Sequence, residues 1–155
     1  MPTPLLKVED APIEVPSLVA NDAPLVPSQY EWLNDTGWDR NSVGDESQVV
    51  LPLVPYEAKL AFDLSPGPRP LTILVTSFSR LNEKGLPEGA HDSQIECTGS
   101  LSCKLVETDS QVQFEADLSR TTRIVMVYAE HFRLSEGADE PPTLVSLSWA
   151  FRIVE

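Results

Sequence analysis

The clearest pattern along the chain is an alternation of apolar and polar residues with a period of two. The segments 58–65, 111–119 and 143–155 read AKLAFDLS, QVQFEADLS and TLVSLSWAFRIVE, with a large apolar side chain at nearly every second position. Successive side chains of a β-strand point to opposite faces of the sheet. The alternation therefore predicts three strands that each have one buried and one solvated face.

Two further segments are apolar at almost every position. Residues 71–78 read LTILVTSF, and residues 122–132 read TRIVMVYAEHF. Strands of this kind are typical of the centre of a sheet, where both faces are covered. We expect either the N-terminal part of the chain or an identical subunit to cover the outer face of these strands, because an exposed apolar sheet face usually marks an interface.

Turn-forming residues separate these segments. SPGPRP at 65–70, NEKGLPEG at 82–89, ETDS at 107–110 and SEGADEPP at 135–142 are rich in the residues that turns require. The spacing predicts about seven strands and no helix longer than one or two turns. The predicted fold is therefore all-β, an antiparallel β-sandwich or jelly-roll.

The first third of the chain has a different composition, with prolines at 2, 4, 12, 16, 24 and 27 among large aliphatic residues. Proline at this density argues against a helix or a central strand, and a solvated linker is normally poor in aliphatics. We therefore divide the chain into an extended N-terminal arm at 1–30, an acidic connector at 31–47 and a β-sandwich domain at 48–155. The arm is expected to pack along its own domain or along a neighbouring subunit. The residues expected to form this protein interface are Leu5, Leu6, Ile13, Val15, Leu18, Val19, Leu25, Val26, Trp32 and Trp38.

Charge narrows the range of partners. The chain of 155 residues holds 24 acidic and 11 basic side chains, for a net charge of -13. Such a protein is repelled by nucleic-acid phosphates and by anionic lipid surfaces, so neither is expected as a partner. No apolar run reaches the roughly 20 residues that span a bilayer, and no signal peptide is recognisable. The expected location is a virion if the protein is viral, and the cytoplasm otherwise.

The two cysteines lie in IECTGSLSCKL and share the parity of the apolar residues around them. In one continuous strand Cys97 and Cys103 would be about 20 Å apart, beyond disulfide reach. A chain reversal at 98–100 would instead allow them to pair. The unbroken alternation favours the first alternative, in which both are reduced core thiols.

Neither histidine predicts catalysis. His91 lies in the loop GAHDS, where neighbouring residues cannot hold a base, a nucleophile and an orienting group in line. His131, in AEHF at a strand end, is expected at the surface or in an interface. Two histidines and two core-facing cysteines match no zinc-site spacing. We expect no metal, no cofactor and no enzymatic activity.

The segment WLNDTGWDRNSVGDES at 32–47 combines two tryptophans with several acidic residues. Trp32 and Trp38 could stack on a sugar ring beside carboxylates that bind calcium. The acidic spacing does not match a calcium loop, however. The preferred interpretation is a connector whose tryptophans are anchored in the sandwich or in a partner.

No motif in the sequence identifies a function directly, so the function is inferred by eliminating the classes that the sequence disfavours. The preferred hypothesis is a non-catalytic assembly protein, a dimer or trimer whose arm clamps neighbouring protein subunits. In outline this is similar to the decoration or cement proteins of bacteriophage capsids. The alternatives are a carbohydrate- or ligand-binding sandwich, and a small acidic inhibitor or immunity-type protein that covers a basic site.

Overall fold

The structure, a computed structural model, describes residues 10–12, 15–25, 27–34, 37–41, 51–66, 70–97, 103–108, 110–134 and 142–154. These ranges hold twelve β-strands and no helix. The predicted all-β class is confirmed, but the expected number of about seven strands is too low. Seven strands follow residue 58, and five more precede residue 56 in the proline-rich part of the chain.

The strands form two sheets. The first has five antiparallel strands in the order β2-β1-β6-β10-β9. Its members are β1 (Ser17–Ala20), β2 (Ala23–Leu25), β6 (Lys59–Ser65), β9 (Lys104–Glu107) and β10 (Val112–Asp117).

The second sheet has seven strands, six of them in the order β4-β3-β12-β11-β7-β8, while β5 pairs with β12 in parallel. Its members are β3 (Gln29–Asn34), β4 (Gly37–Asn41), β5 (Leu53–Pro55), β7 (Thr72–Phe78), β8 (Ser93–Glu96), β11 (Ile124–Arg133) and β12 (Thr143–Val154).

A single hydrophobic core lies between the two sheets. Phe62 of β6 stacks on Phe114 of the neighbouring β10, with ring centroids 4.8 Å apart. Phe62 also contacts Phe151 of β12 in the other sheet, at 6.1 Å. Such contacts between facing sheets define a sandwich-like arrangement, whose main stabilisation comes from the apolar area removed from water.

The period-two segments occupy the predicted positions. In β6, β10 and β12 the alternating set of apolar residues is buried, and the intervening residues, which include Leu144, are at least partly exposed. The doubly apolar segments form β7 and β11, and both are interior strands of the larger sheet. At the outward positions of β11, Ile124 is buried, and Met126, Tyr128, Glu130 and Phe132 are half-buried. Residues 10–12 lie beside the end of β11, where Asp10 bridges Phe132 and the Ala11 amide donates to the Phe132 carbonyl at 2.9 Å.

The first two strands form a tight hairpin within the segment expected to be an extended arm. Asn21 and Asp22 both have positive φ, 44° and 68°, as the two central residues of a type I′ hairpin turn require. The Asn21 side chain also accepts a hydrogen bond from the Ala61 amide at 2.9 Å. Pro24 is tolerated because β2 is an edge strand, which has amides that need no partner within the sheet.

The expectation of two reduced cysteines is wrong, because Cys97 and Cys103 form a disulfide with their Cα atoms 4.9 Å apart. The segment is not one continuous strand. Cys97 directly follows the edge strand β8 of the larger sheet, and Cys103 directly precedes the edge strand β9 of the smaller one. The chain passes from one sheet to the other between them, and the disulfide joins the two sheets at this edge of the sandwich.

Candidate interaction surface

Four large apolar side chains form a row across one end of the seven-stranded sheet. Phe132 of β11 lies opposite Leu144 of β12, and Leu33 of β3 lies opposite Trp38 of β4. The pairing of β12 with β3 ends at Ser146 and Glu31, and Leu144 and Leu33 lie on the same face two residues beyond this last pair. We call Leu33, Trp38, Phe132 and Leu144 the apolar row.

The apolar row is accessible to solvent at several points. Trp38 is 44% exposed, Leu144 is 47% exposed and the adjoining Leu134 is 39% exposed. These are three of the six large apolar side chains that are exposed among the described residues. Their concentration at one end of one sheet distinguishes this surface from the scattered apolar residues that any protein surface carries.

Polar side chains lie next to the apolar row on the same face. Glu130, Ser146 and Glu31 occupy the adjacent positions of β11, β12 and β3. The Tyr128 side chain lies one row further along the same face, close to Glu130 and Ser146. Burial and then the negative charge of Glu130 raise the pKa of Tyr128 above its usual value, so this hydroxyl stays protonated at neutral pH.

Arg133 fixes the backbone beneath the apolar row. Its Nε donates to the Leu33 carbonyl at 2.8 Å, one terminal nitrogen donates to the Pro12 carbonyl at 2.6 Å, and the other donates to the Ala11 carbonyl. The terminal nitrogen that donates to Ala11 also forms a salt bridge with Asp10 at 3.1 Å. One guanidinium therefore joins β11, β3 and the segment 10–12, which uses the planar fork of donors that only arginine provides.

His131 and Trp32 lie on the inner side of the same corner. Their rings meet edge to face at 5.5 Å, and the Trp32 Nε1 donates to the Pro12 carbonyl at 2.9 Å. His131 is 2% exposed, so the expectation of a surface histidine is wrong. Burial and then the positive charge of Arg133 lower the pKa of His131 to about 4. The imidazole is therefore neutral at pH 7 and enclosed in the core.

The predicted interface residues have several different locations. Leu18, Leu25 and Trp32 are buried in the core of the chain itself, Val15 packs against that core, and Val19 is half-buried. Trp38 is exposed in the apolar row. Leu5, Leu6, Ile13 and Val26 lie outside the described residues.

The two tryptophans point to opposite faces of their hairpin, because Trp32 pairs with Asp39 while Trp38 pairs with Leu33. They therefore do not form one stacking platform. The sequence reasoning also missed Leu144 and Phe132. Both were visible as apolar residues at the outward positions of predicted strands, but only the sheet order shows that they adjoin Trp38.

The other candidate chemistry is sparse. His91 is exposed and lies edge-on to Phe78 at 6.4 Å. Within the described ranges no three His, Cys, Asp or Glu side chains come close enough to hold a metal ion. Those ranges also contain no helix that is long and apolar enough to cross a membrane.

Comparison with known proteins found no family model, no curated sequence and no solved structure that matches this chain.

Proposed function

We propose that this chain is a non-catalytic assembly protein that associates with a second copy of itself through the apolar row, as a dimer or trimer within a larger protein assembly. The observation that carries the proposal is the exposure of Trp38 and Leu144 on one face, next to Leu33 and Phe132. Buried interface cores are rich in aromatic residues and poor in charge, and this row has that composition.

The expected energy of such a contact follows from burial. Removing a large apolar side chain from water stabilises by roughly 1.5 to 3 kcal/mol, and nearly half of Trp38 and of Leu144 is exposed. Covering both therefore contributes about 2 kcal/mol per copy. In a symmetric contact the same surface is buried on each partner, which doubles this contribution.

We further propose that the larger assembly is a virion and that the protein decorates its shell. The acidic charge of -13 supports a role in contact with protein rather than with packaged nucleic acid. The Cys97–Cys103 disulfide favours an oxidising location, such as a virion surface, over the cytoplasm. The same proposal includes a jelly-roll topology for the fold and a clamp formed by residues of the expected N-terminal arm at 1–30.

The proposal is tested by light scattering on a sizing column. We expect a dimer or trimer for the full chain, and a shift toward monomer in Trp38→Ser and Leu144→Ser. The matched control is Leu53→Ser, which removes an exposed apolar side chain at the opposite end of β12 and should leave the mass unchanged. Because each copy carries a charge of -13, raising the salt from about 50 to about 500 mM should strengthen the association.

A full chain that remains monomeric at all concentrations and salts would overturn self-association. So would an oligomer that Leu53→Ser dissociates as readily as Trp38→Ser. A stable oligomer that neither row substitution affects would show that the apolar row is not the contact surface.

A second candidate function is glycan binding at the same surface. The Trp38 side chain is exposed, and Glu130, Ser146 and Tyr128 lie along the same face, so an apolar ring and hydrogen-bonding groups occur together. The discriminating measurement is saturable binding of the full chain on a glycan array, together with its loss in Trp38→Ala. Binding that the Trp38→Ala substitution does not weaken would exclude this function for the apolar row.

A further inference from the structure

His131 is the one titratable side chain that is buried in the part of the chain that the structure describes. The other buried polar residues there are Ser77 and Thr122, whose hydroxyls do not titrate, and the buried cysteines form the disulfide. The Nε2 atom of His131 is enclosed and has no hydrogen-bond partner among the same residues. A buried polar atom without a partner is uncommon in a folded protein and calls for an explanation, which the surroundings of the ring supply.

The charged groups on β11 and on residues 10–12 oppose a proton on the imidazole. On β11, Arg133 is positive, and Glu130 lies on the outward face of the sheet. Asp10 has other partners, because it pairs with Arg133 at 3.1 Å and accepts a hydrogen bond from the Leu134 amide at 2.9 Å. A protonated imidazole would therefore be a second positive charge beside Arg133.

The other elements packed around the ring contribute neutral groups. β3 presents Trp32, which meets the imidazole edge to face at 5.5 Å, and β12 presents Val145 directly opposite it. β7 contributes Ile73, and β1, β6 and β10 of the smaller sheet turn apolar side chains toward the core. On β4 the carboxylate of Asp39 accepts a hydrogen bond from the Tyr30 hydroxyl at 3.4 Å. Within the described ranges, the surroundings of the ring are therefore apolar or already hydrogen-bonded.

The same imidazole adjoins the contacts that attach residues 10–12 to the larger sheet. The Trp32 ring that touches it donates its Nε1 proton to the Pro12 carbonyl at 2.9 Å. Arg133, two residues further along β11, donates to the carbonyls of Ala11 and Pro12, and the Ala11 amide donates to the Phe132 carbonyl. A short segment held by so few contacts can separate without unfolding of the sheets. Its separation would open a path for solvent to the ring.

We propose that His131 makes this attachment acid-sensitive, so that protonation of the imidazole in mild acid detaches residues 10–12 while the two sheets stay folded. Phe132, whose carbonyl is released by the detachment, belongs to the apolar row, and so does Leu33, whose carbonyl Arg133 holds. The device therefore connects the pH of the surroundings to one end of that row. The inference concerns the fold of one chain and does not depend on the proposed function.

The size of the effect follows from proton linkage. Burial and then Arg133 lower the pKa of His131 to about 4, and the ordinary value of 6.5 returns when the ring reaches solvent. The attachment is therefore at full strength above pH 6.5 and weakens as the pH falls toward 4. Relative to pH 7.5, the equilibrium constant for detachment should rise about fourfold at pH 6 and about 30-fold at pH 5.

The test is hydrogen exchange of the ¹⁵N-labelled full chain, with the Ala11 amide as the reporter. The exchange rate is divided by the intrinsic rate at each pH, which gives the equilibrium constant for detachment. We expect the rise of about 30-fold between pH 7.5 and pH 5 in the wild type, and a change below about twofold in His131→Phe. Phenylalanine keeps a ring against Trp32 but binds no proton. Low concentrations of urea should leave the Ala11 exchange unchanged, because detachment exposes little surface.

A second variant separates the imidazole from the nearby carboxylate. Asp10→Asn removes the titratable group that pairs with Arg133, and it should keep a rise of at least about tenfold between pH 7.5 and pH 5. If His131→Phe does not fold, His131→Leu takes its place, since it also lacks a titratable group. The imidazole resonances of the wild type provide a direct check, and at pH 6 they should be those of a neutral ring.

Four outcomes would overturn the inference. The first is a rise of less than about threefold in the wild type, and the second is an equal rise in the wild type and in His131→Phe. The third is the loss of the response in Asp10→Asn, which would assign it to the carboxylate. The fourth is exchange of the Ala11 amide that follows urea as steeply as the interior amides of β11. Residues 10–12 would then separate only when the whole chain unfolds.

Discussion

Protonation of His131 should make this protein markedly less stable in mild acid. The imidazole is buried against Trp32, and its Nε2 has no hydrogen-bond partner among the described residues. The positive charge of Arg133 acts on it, and Asp10 forms its salt bridge with Arg133 rather than with the imidazole. The folded state therefore opposes a positive charge at this position, whereas the unfolded chain accepts it readily.

The magnitude follows from the two pKa values. The pKa of His131 is about 4 in the folded protein and 6.5 in an unfolded chain. Between these values the unfolded state binds the additional proton, so the stabilisation is fully present above pH 6.5 and is lost as the pH falls toward 4. The full difference amounts to roughly 3 kcal/mol, of which about 2 kcal/mol is lost at pH 5.

The assay is urea unfolding of the wild type and of His131→Phe, each at pH 7.5 and at pH 5. Phenylalanine retains a ring against Trp32 but cannot titrate. Because the carboxylates titrate in both proteins, the difference between their two pH responses isolates His131. We expect the wild type to lose about 2 kcal/mol more than the variant. Equal losses in the two proteins would refute the reasoning, since the imidazole would then be equally easy to protonate in both states.

Three further predictions concern stability. Arg133→Met should lower the free energy of unfolding by about 2 to 4 kcal/mol, because three backbone carbonyls lose their donor, and urea unfolding checks this. An effect below about 0.5 kcal/mol would show that these bonds contribute little. Reducing the Cys97–Cys103 disulfide, which has a sequence separation of 6, should cost about 2 kcal/mol and lower the Tm in a scan with reductant. An unchanged Tm would contradict this. Phe62→Ala should lower the free energy of unfolding by about 3 to 5 kcal/mol, because it removes a ring stacked on Phe114. If the losses in Phe62→Ala and Phe62→Leu differed by less than about 1 kcal/mol, that result would argue against a tightly packed core.

The period-two segments predicted β6, β10 and β12 correctly, because a strand with one buried face has apolar residues at every second position of its sequence. The same rule does not place His131. Its segment is apolar at both parities, so only the structure shows that it shares the inward face with Val127 and Ala129.

The N-terminal strands were not predicted, because the prolines exclude a helix and a central strand and the segment was therefore assigned to an extended arm rather than to edge strands. Pro24 lies on an edge strand, where no amide is required, and Asn21-Asp22 between two aliphatic runs is a two-residue hairpin signal. That hairpin was therefore predictable. The apolar row was not, because its residues come from four strands whose neighbours are chosen by the tertiary fold. The disulfide likewise depends on the passage of the chain between sheets, which alternation does not reveal.

The position of β12 has a consequence for how the chain folds. Residues 143–154 pair with β11 on one side and with both β3 and β5 on the other. The partners β3 and β5 lie about 90 to 120 residues earlier in the sequence, and closing loops of that length before any contact forms makes folding slow. During synthesis, β12 is made last of these strands. Until then Trp32 and the edges of β3, β5 and β11 have no β12 to pack or pair with. The interval before β12 docks is when this protein is most exposed to aggregation and most dependent on chaperones.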